Sequence, residues 1–206
     1  MDVRDTIEQR RAVKRYDPTR EISEDRIREL FRLASLAPSA WNLQHWHFIV
    51  VRSAEQKERL RKAANNQPKV TEASLTVVVC GNLDAYRDAD RIYDSFVRNG
   101  YLSEEQKRRK IIGIEQFYAD PQNRRDEAIR NASLAAQTLI LAATEMGYAT
   151  CPMIGFDPDA VREVVELPDH LLPVMLITVG FGEETRPRND RKPFEEIVDF
   201  EVFGRS

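Results

Sequence analysis

Ala37-Pro38-Ser39-Ala40-Trp41-Asn42-Leu43-Gln44-His45-Trp46-His47-Phe48 carries a helix-breaking proline, two tryptophans, two amides and two histidines, and leads into Ile49-Val50-Val51. Pro38 has no backbone N–H and ends any helix before it. The run His47-Phe48-Ile49-Val50-Val51 is short, apolar and β-branched, which is the pattern of a buried strand. A loop rich in aromatic and amide groups between rigid elements has two readings. It binds a planar heteroaromatic ring by stacking and edge hydrogen bonds, or its tryptophans cap the core.

Working outward, Ile27, Leu30, Phe31, Ala34 and Ala37 share one face of a helix opened by Ser23-Glu24-Asp25. A shorter helix begins at Val3 and Ile7 and runs into a basic cluster. Downstream, a helix near residues 55–64 leads to a second buried strand, Leu75-Thr76-Val77-Val78-Val79-Cys80. Residues 125–146 form the clearest helix, with Ala128, Ala132, Ala135, Leu139, Ala142 and Ala143 at helical spacing and Gly147 placed to end it. Alanine on that face permits close packing. Asp157-Pro158 opens a short helix, and Val174-Met175-Leu176-Ile177-Thr178-Val179 reads as a strand. Strands and helices do not alternate regularly and no GxGxxG follows a strand, so a Rossmann domain is disfavoured and a mixed α+β sandwich expected.

The 206 residues suit one domain over 1–206, with a charged, aromatic helical excursion at about 84–120 that covers the core edge as a lid or packs into it. With 31 basic and 34 acidic residues the formal charge is -3, so nothing global points to nucleic acid. No secretory h-region or membrane-length apolar stretch is present, and a cytoplasmic, membrane-free protein is the default expectation. Cys80 and Cys151 lack any zinc or redox spacing and are expected as buried hydrophobes. His45 and His47 have no third ligand nearby, so no metal site is expected, and His170 is expected at the surface.

Arg10-Arg11-Ala12-Val13-Lys14-Arg15-Tyr16 concentrates positive charge near the N-terminus, and Arg186, Arg188, Arg191 and Lys192 do so near the other end. By charge alone such clusters are either solvated faces or gather around an anion such as phosphate. The order of motifs adds to this. Arg-x-x-Val-Lys-x-Tyr, then Ala-Pro-Ser-Ala-x-Asn-x-Gln-x-Trp-x-Phe, then Ala64-Asn65-Asn66-Gln67-Pro68-Lys69, Glu145-Met146-Gly147-Tyr148, Gly155-Phe156 and Asp190-Arg191-Lys192-Pro193 together resemble the FMN-dependent nitroreductase family over nearly the whole chain.

The resemblance implies a three-layer α-β-α sandwich with a mixed, mainly antiparallel sheet and a C-terminal segment extending onto a partner subunit. It implies FMN as cofactor, with Arg10, Arg11 and Arg191 on the phosphate. Ala12 stands where the family often has Ser, which removes a hydroxyl contact, and Asn189 stands at a position where relatives carry Lys, leaving Arg188 as substitute. Lys14 matches the lysine at the N1–C2 carbonyl edge of the flavin ring, where a cation favours reduction. Asn66, with Gln67 or Lys69, matches the group facing the pyrimidine edge. Ser39 and Asn42 match positions contributed across the dimer interface. Ile154 and Gly155 fall where backbone N–H groups face flavin N5 and O4, and relatives often carry Glu in place of Ile154.

The implied reaction is ping-pong. NADH or NADPH gives hydride to FMN and leaves, and a small-molecule acceptor such as a nitroaromatic or quinone then takes the electrons; no side chain is nominated as catalytic. A homodimer is expected from the resemblance and from Phe194, Ile197, Val198, Phe200, Val202 and Phe203, which need a surface to bury against. The competing readings are a superfamily variant such as a reductive dehalogenase or flavin-fragmenting enzyme, a flavin-binding or sensing protein without turnover, and a structural or nucleic-acid protein using the basic clusters.

Overall fold

The computed structural model describes residues 2–204. In chain order its helices are α1 (Val3–Gln9), α2 (Glu24–Ala34), α3 (Ala54–Ala63), α4 (Lys69–Glu72), α5 (Ala89–Arg98), α6 (Glu104–Tyr118), α7 (Pro121–Glu145) and α8 (Pro158–Val164). The strands are β1 (Trp46–Val51), β2 (Leu75–Asn82), β3 (Ala149–Met153) and β4 (Leu171–Gly180), in the sheet order β1-β2-β4-β3. All three pairings are antiparallel, and the parallel component among the described residues is the isolated bridge between Ala12 and Thr150 beside β3.

The run of apolar residues in β2 follows from its two-sided burial. Leu75, Val77 and Val79 face a cluster with Leu30, Ala132, Ala136, Leu139 and Ala143 from α2 and α7. Val78 and Cys80 face the opposite cluster, with Leu60 and Ala63 of α3 and Val161 of α8. The period-2 alternation of a strand therefore sends side chains to two apolar layers, and the sandwich has helices on both faces of its sheet. Each fully buried valine contributes roughly 1.5–3 kcal/mol of transfer free energy.

Helix α7 is longer than its alanine periodicity alone indicates, because Asp120 caps the N-terminus by accepting from Gln122 N at 2.9 Å and Pro121 occupies the first turn. Gly147, at φ 84°, follows its end. The alanine face lets α7 lie hard against β2: a Cβ on Gly81 would come within 2.7 Å of the Ala128 carbonyl oxygen.

The excursion comprises a 3-10 turn at Ala85–Asp88 and helices α5 and α6. These close around Leu43, Ile92, Tyr93, Ile114 and Tyr118. Buried Lys107 reaches from α6 to Asp90, at 2.9 Å, and to Asp94 of α5. Among the aromatic residues considered for a lid, Tyr93 and Tyr118 are core, whereas Tyr101 is exposed.

Candidate functional site

Arg10 leaves α1 with φ -54° and ψ 125°, so the basic segment is extended and not, as expected, the end of the first helix. Val13 N donates to Thr150 O at 2.9 Å, which seats the segment on the open edge of β3. Val13 and Tyr16 turn inward, while Ala12, Lys14 and Arg15 stay exposed. The chain returns past this segment after β4. At Gly182 any Cβ would collide with the Arg15 carbonyl oxygen, so close approach requires glycine. This crossing brings the two basic clusters together. Arg10, Arg11 and Lys14 on one side and Arg186, Arg188 and Arg191 on the other line a cavity of about 330 Å³, with Ala12, Asn189 and Glu184.

Six cations thus face one carboxylate. Glu184 is held by Arg186, which donates from Nε at 2.8 Å, from Nη2 at 2.6 Å and from its backbone N at 3.1 Å. The hydrogen bonds from Arg186 pull the Glu184 pKa down to about 2. Partial burial, with the guanidiniums of Arg188, Arg191 and Arg11 close by, pushes the Arg10 pKa down. The excess positive charge suits an anion with several acceptor oxygens.

The edge of β3 extends the site away from this pocket. From Thr150 to the turn at Ile154-Gly155 the strand advances roughly 16 Å at about 3.3 Å per residue. Gln67 Nε2 donates to Gly155 O at 2.8 Å, and Lys69 Nζ approaches Cys151 Sγ at 3.4 Å. Asn65 and Asn66, at φ 53° and 54°, form the left-handed turn that projects this group. Gln67 and Asn65 thus face Gly155, Lys69 lies further back along β3 at Cys151, Asn66 shares the turn with Asn65, and Ile154 is exposed.

Ser39 and Asn42 lie elsewhere. Their loop precedes β1, at the far side of the sheet from β3, and three strand spacings of about 4.8 Å intervene. The loop is strained: Trp41, Asn42 and Gln44 have φ 51°, 57° and 52°. Local polar contacts hold it there. Ser39 Oγ accepts from Gln44 N at 3.0 Å, and Asn131 Oδ1 of α7 accepts from Ala40 N at 2.8 Å. Trp41 packs edge-on against Phe117, with ring centroids 5.1 Å apart. Trp46 is the first residue of β1 and packs on the core instead of joining the loop's aromatic surface.

Comparison with known proteins bears on this arrangement. The Nitroreductase family profile matches residues 7–181. The chain belongs to the nitroreductase family. A protein of Bacillus subtilis (strain 168) named "Putative NAD(P)H nitroreductase MhqN" is 39% identical over 198 residues, 94% of this chain and 96% of that one. An "NADH dehydrogenase" of Thermus thermophilus is 33% identical over 201 residues, covering 96% and 95% of the two chains. A crystal structure from Exiguobacterium sibiricum, solved in complex with FMN, superposes with a TM-score of 0.89 at 29% identity over 97% of each chain. As a member of this family the protein is an oxidoreductase with the family's fold.

Several site features had no sequence signal. Glu184 reads as one acidic residue among many until the crossing at Gly182 places it in the wall of the basic cavity. Strand β3 contains Pro152 in a run of five residues, and was not expected as a strand; its edge position in the sheet accommodates the proline. His45 and His47 diverge: His45 is buried with Nε2 2.7 Å from the Tyr118 hydroxyl, whereas His47 is exposed, as is His170. Among the described residues no three His, Cys, Asp or Glu side chains are grouped to hold a metal, and no helix is long and apolar enough to cross a membrane.

Proposed function

We propose that this protein binds FMN along the β3 edge, works as a homodimer, and uses NADH or NADPH to reduce small-molecule acceptors such as quinones or nitroaromatics. The observation that carries the reading is the cavity of six cations, continued by the β3 edge to the Gly155 turn. A phosphate monoester at one end of a long, flat ligand matches that layout in charge and extension. The relatives support it by their names and by the FMN bound in the Exiguobacterium sibiricum structure.

Arg10 and Arg191 would hold the phosphate by charge-assisted hydrogen bonds. Lys14, exposed on the same edge, would set a fixed cation where negative charge develops on the ring. Asn66 and Lys69 would meet the polar ring edge, while Gln67 holds the Gly155 turn through its carbonyl oxygen. FMN, when bound, supplies the hydride acceptance and electron delivery that join the two half-reactions of a ping-pong cycle. Ser39 and Asn42 are too far around the sheet to reach the same ring within one subunit, which is the reason for proposing that a second copy contributes them.

The test is the visible spectrum of the purified protein, followed by anaerobic mixing with NADH and NADPH. A yellow protein bleached by either donor is the expected result. The double change Arg10→Ala, Arg191→Ala removes two charge-assisted contacts, together about 3 kcal/mol or more, and raises the FMN Kd a hundredfold or more. Unchanged flavin occupancy would overturn the phosphate assignment.

A further inference from the structure

The cations around the basic cavity do not all do the same work. Arg11 Nη2 donates to the carbonyl oxygens of Arg186 at 2.8 Å and Pro187 at 3.1 Å. Arg188 Nη2 donates in return to the carbonyl oxygens of Glu8 at 2.5 Å and Arg10 at 2.8 Å. The bonds are reciprocal and join segments some 175 residues apart in sequence. Their acceptors are neutral, so the bonds consume donors without cancelling charge. Arg10, Arg11 and Lys14 on one segment therefore keep their charge at the cavity wall, as do Arg188 and Arg191 on the other, where Arg186 is paired with Glu184, and the two sets of cations repel. Glu184, bound by Arg186, is the single carboxylate in the wall and fixes the turn from which the Arg186 and Pro187 carbonyls project.

We propose that Arg11 and Arg188 are positioning residues: a reciprocal guanidinium-to-carbonyl clasp that ties residues 8–11 to residues 184–188 and is drawn closed when a phosphate dianion enters the cavity. The inference rests on the reading of that cavity as an anion site, and it assigns direct anion contact to Arg10 and Arg191. An anion between the two sets of cations replaces repulsion with attraction toward a common centre, which shortens the time the clasp spends open. The root of the C-terminal arm is thereby fixed. Beyond Arg191 the arm carries Phe194, Ile197 and Phe200, all exposed, so the direction in which this apolar surface leaves the body depends on the clasp.

The experiment uses the full chain and a protease that cuts after glutamate. Cleavage at the Glu183-Glu184 bond, resolved by fragment mass from cuts after the exposed Glu195, Glu196 and Glu201, requires the flanking chain to adapt to the protease cleft, which residues 184–188 can do only with the clasp open. Rates are measured first without FMN, with and without inorganic phosphate, and normalised to an unstructured reference peptide in the same buffer. Arg11→Gln and Arg188→Gln each remove charge-assisted bonds and are expected to be cut about tenfold faster than wild type, because cleavage tracks the population of the open form. Arg191→Gln removes a cation but no clasp bond, weakens the repulsion across the cavity, and is expected to be cut no faster than wild type without phosphate. Phosphate is expected to slow cleavage of wild type and to protect Arg188→Gln less, because Arg10 and Arg191 still meet the anion while the bonds to the Glu8 and Arg10 carbonyls are missing. Equal rates in wild type, Arg11→Gln and Arg188→Gln, or equal protection of wild type and Arg188→Gln by phosphate, would overturn the clasp. Failure of wild type to bind FMN would refute the proposed function but leave the phosphate-free comparison intact.

Discussion

Replacing His45 by Gln tests how the loop before β1 is held. His45 is 1% exposed, its Nε2 lies 2.7 Å from Tyr118 Oη, and its Nδ1 has no partner. Burial lowers its pKa from the ordinary 6.5 to about 4, against the opposing influence of Glu127 on α7. The groups facing it are thus Tyr118 from α6 and Glu127, itself paired with Arg130, from α7. In the unfolded chain the imidazole takes up its proton near pH 6.5, while in the folded chain it resists until about pH 4. The contribution is fully present above pH 6.5 and is lost as pH falls through the interval down to the folded value. At 1.36 kcal/mol per pH unit the loss amounts to about 3 kcal/mol, a large part of the 5–15 kcal/mol typical of a domain. Urea unfolding of wild type and His45→Gln between pH 7 and pH 4 isolates this quantity, since the surface carboxylates titrate alike in both. The glutamine variant is expected to be the less stable at pH 7, with the difference shrinking by about 3 kcal/mol toward pH 4. A stability difference independent of pH would refute the reasoning.

Two further outcomes follow from packing. Gly81→Ala drives a methyl group against the Ala128 carbonyl and forces α7 from β2, with an expected loss of about 1–3 kcal/mol in urea or thermal unfolding; an unchanged midpoint would contradict the close approach. Ending the chain after Lys192 removes Phe194, Ile197, Phe200, Val202 and Phe203 from the exposed arm. The shortened protein is expected to sediment as a monomer with unchanged far-ultraviolet circular dichroism, and a persistent dimer would dissociate the arm from assembly.

Much of the architecture was legible because its causes are local. Two-sided burial wrote an unbroken apolar run into β2, and the 3.6-residue spacing of alanines marked α7. Pro38 and Gly147 punctuated their helices. Strand β3 was not legible, since Ala149–Met153 is short and contains Pro152; it is a strand because β4 offers a partner edge. The site divided in the same way. Residues of the basic clusters could be named, and so could Asn66, Gln67, Lys69, Ile154 and Gly155, but which of them meet was not written locally. His45 and His47 looked like a pair and proved to be one core residue and one surface residue, because β1 begins between them.

What the sequence determined by itself was the set of elements and the chemical character of each face, because capping, periodicity and charge reside in neighbouring residues. Tertiary structure alone decided that two sets of cations share one cavity, that Arg11 grips the Arg186 and Pro187 carbonyls while Arg188 grips those of Glu8 and Arg10, and that Ser39 and Asn42 stand apart from the β3 edge. These depend on contacts between distant segments, and the order of strands in a sheet, unlike the period of a helix, leaves no local trace in the chain.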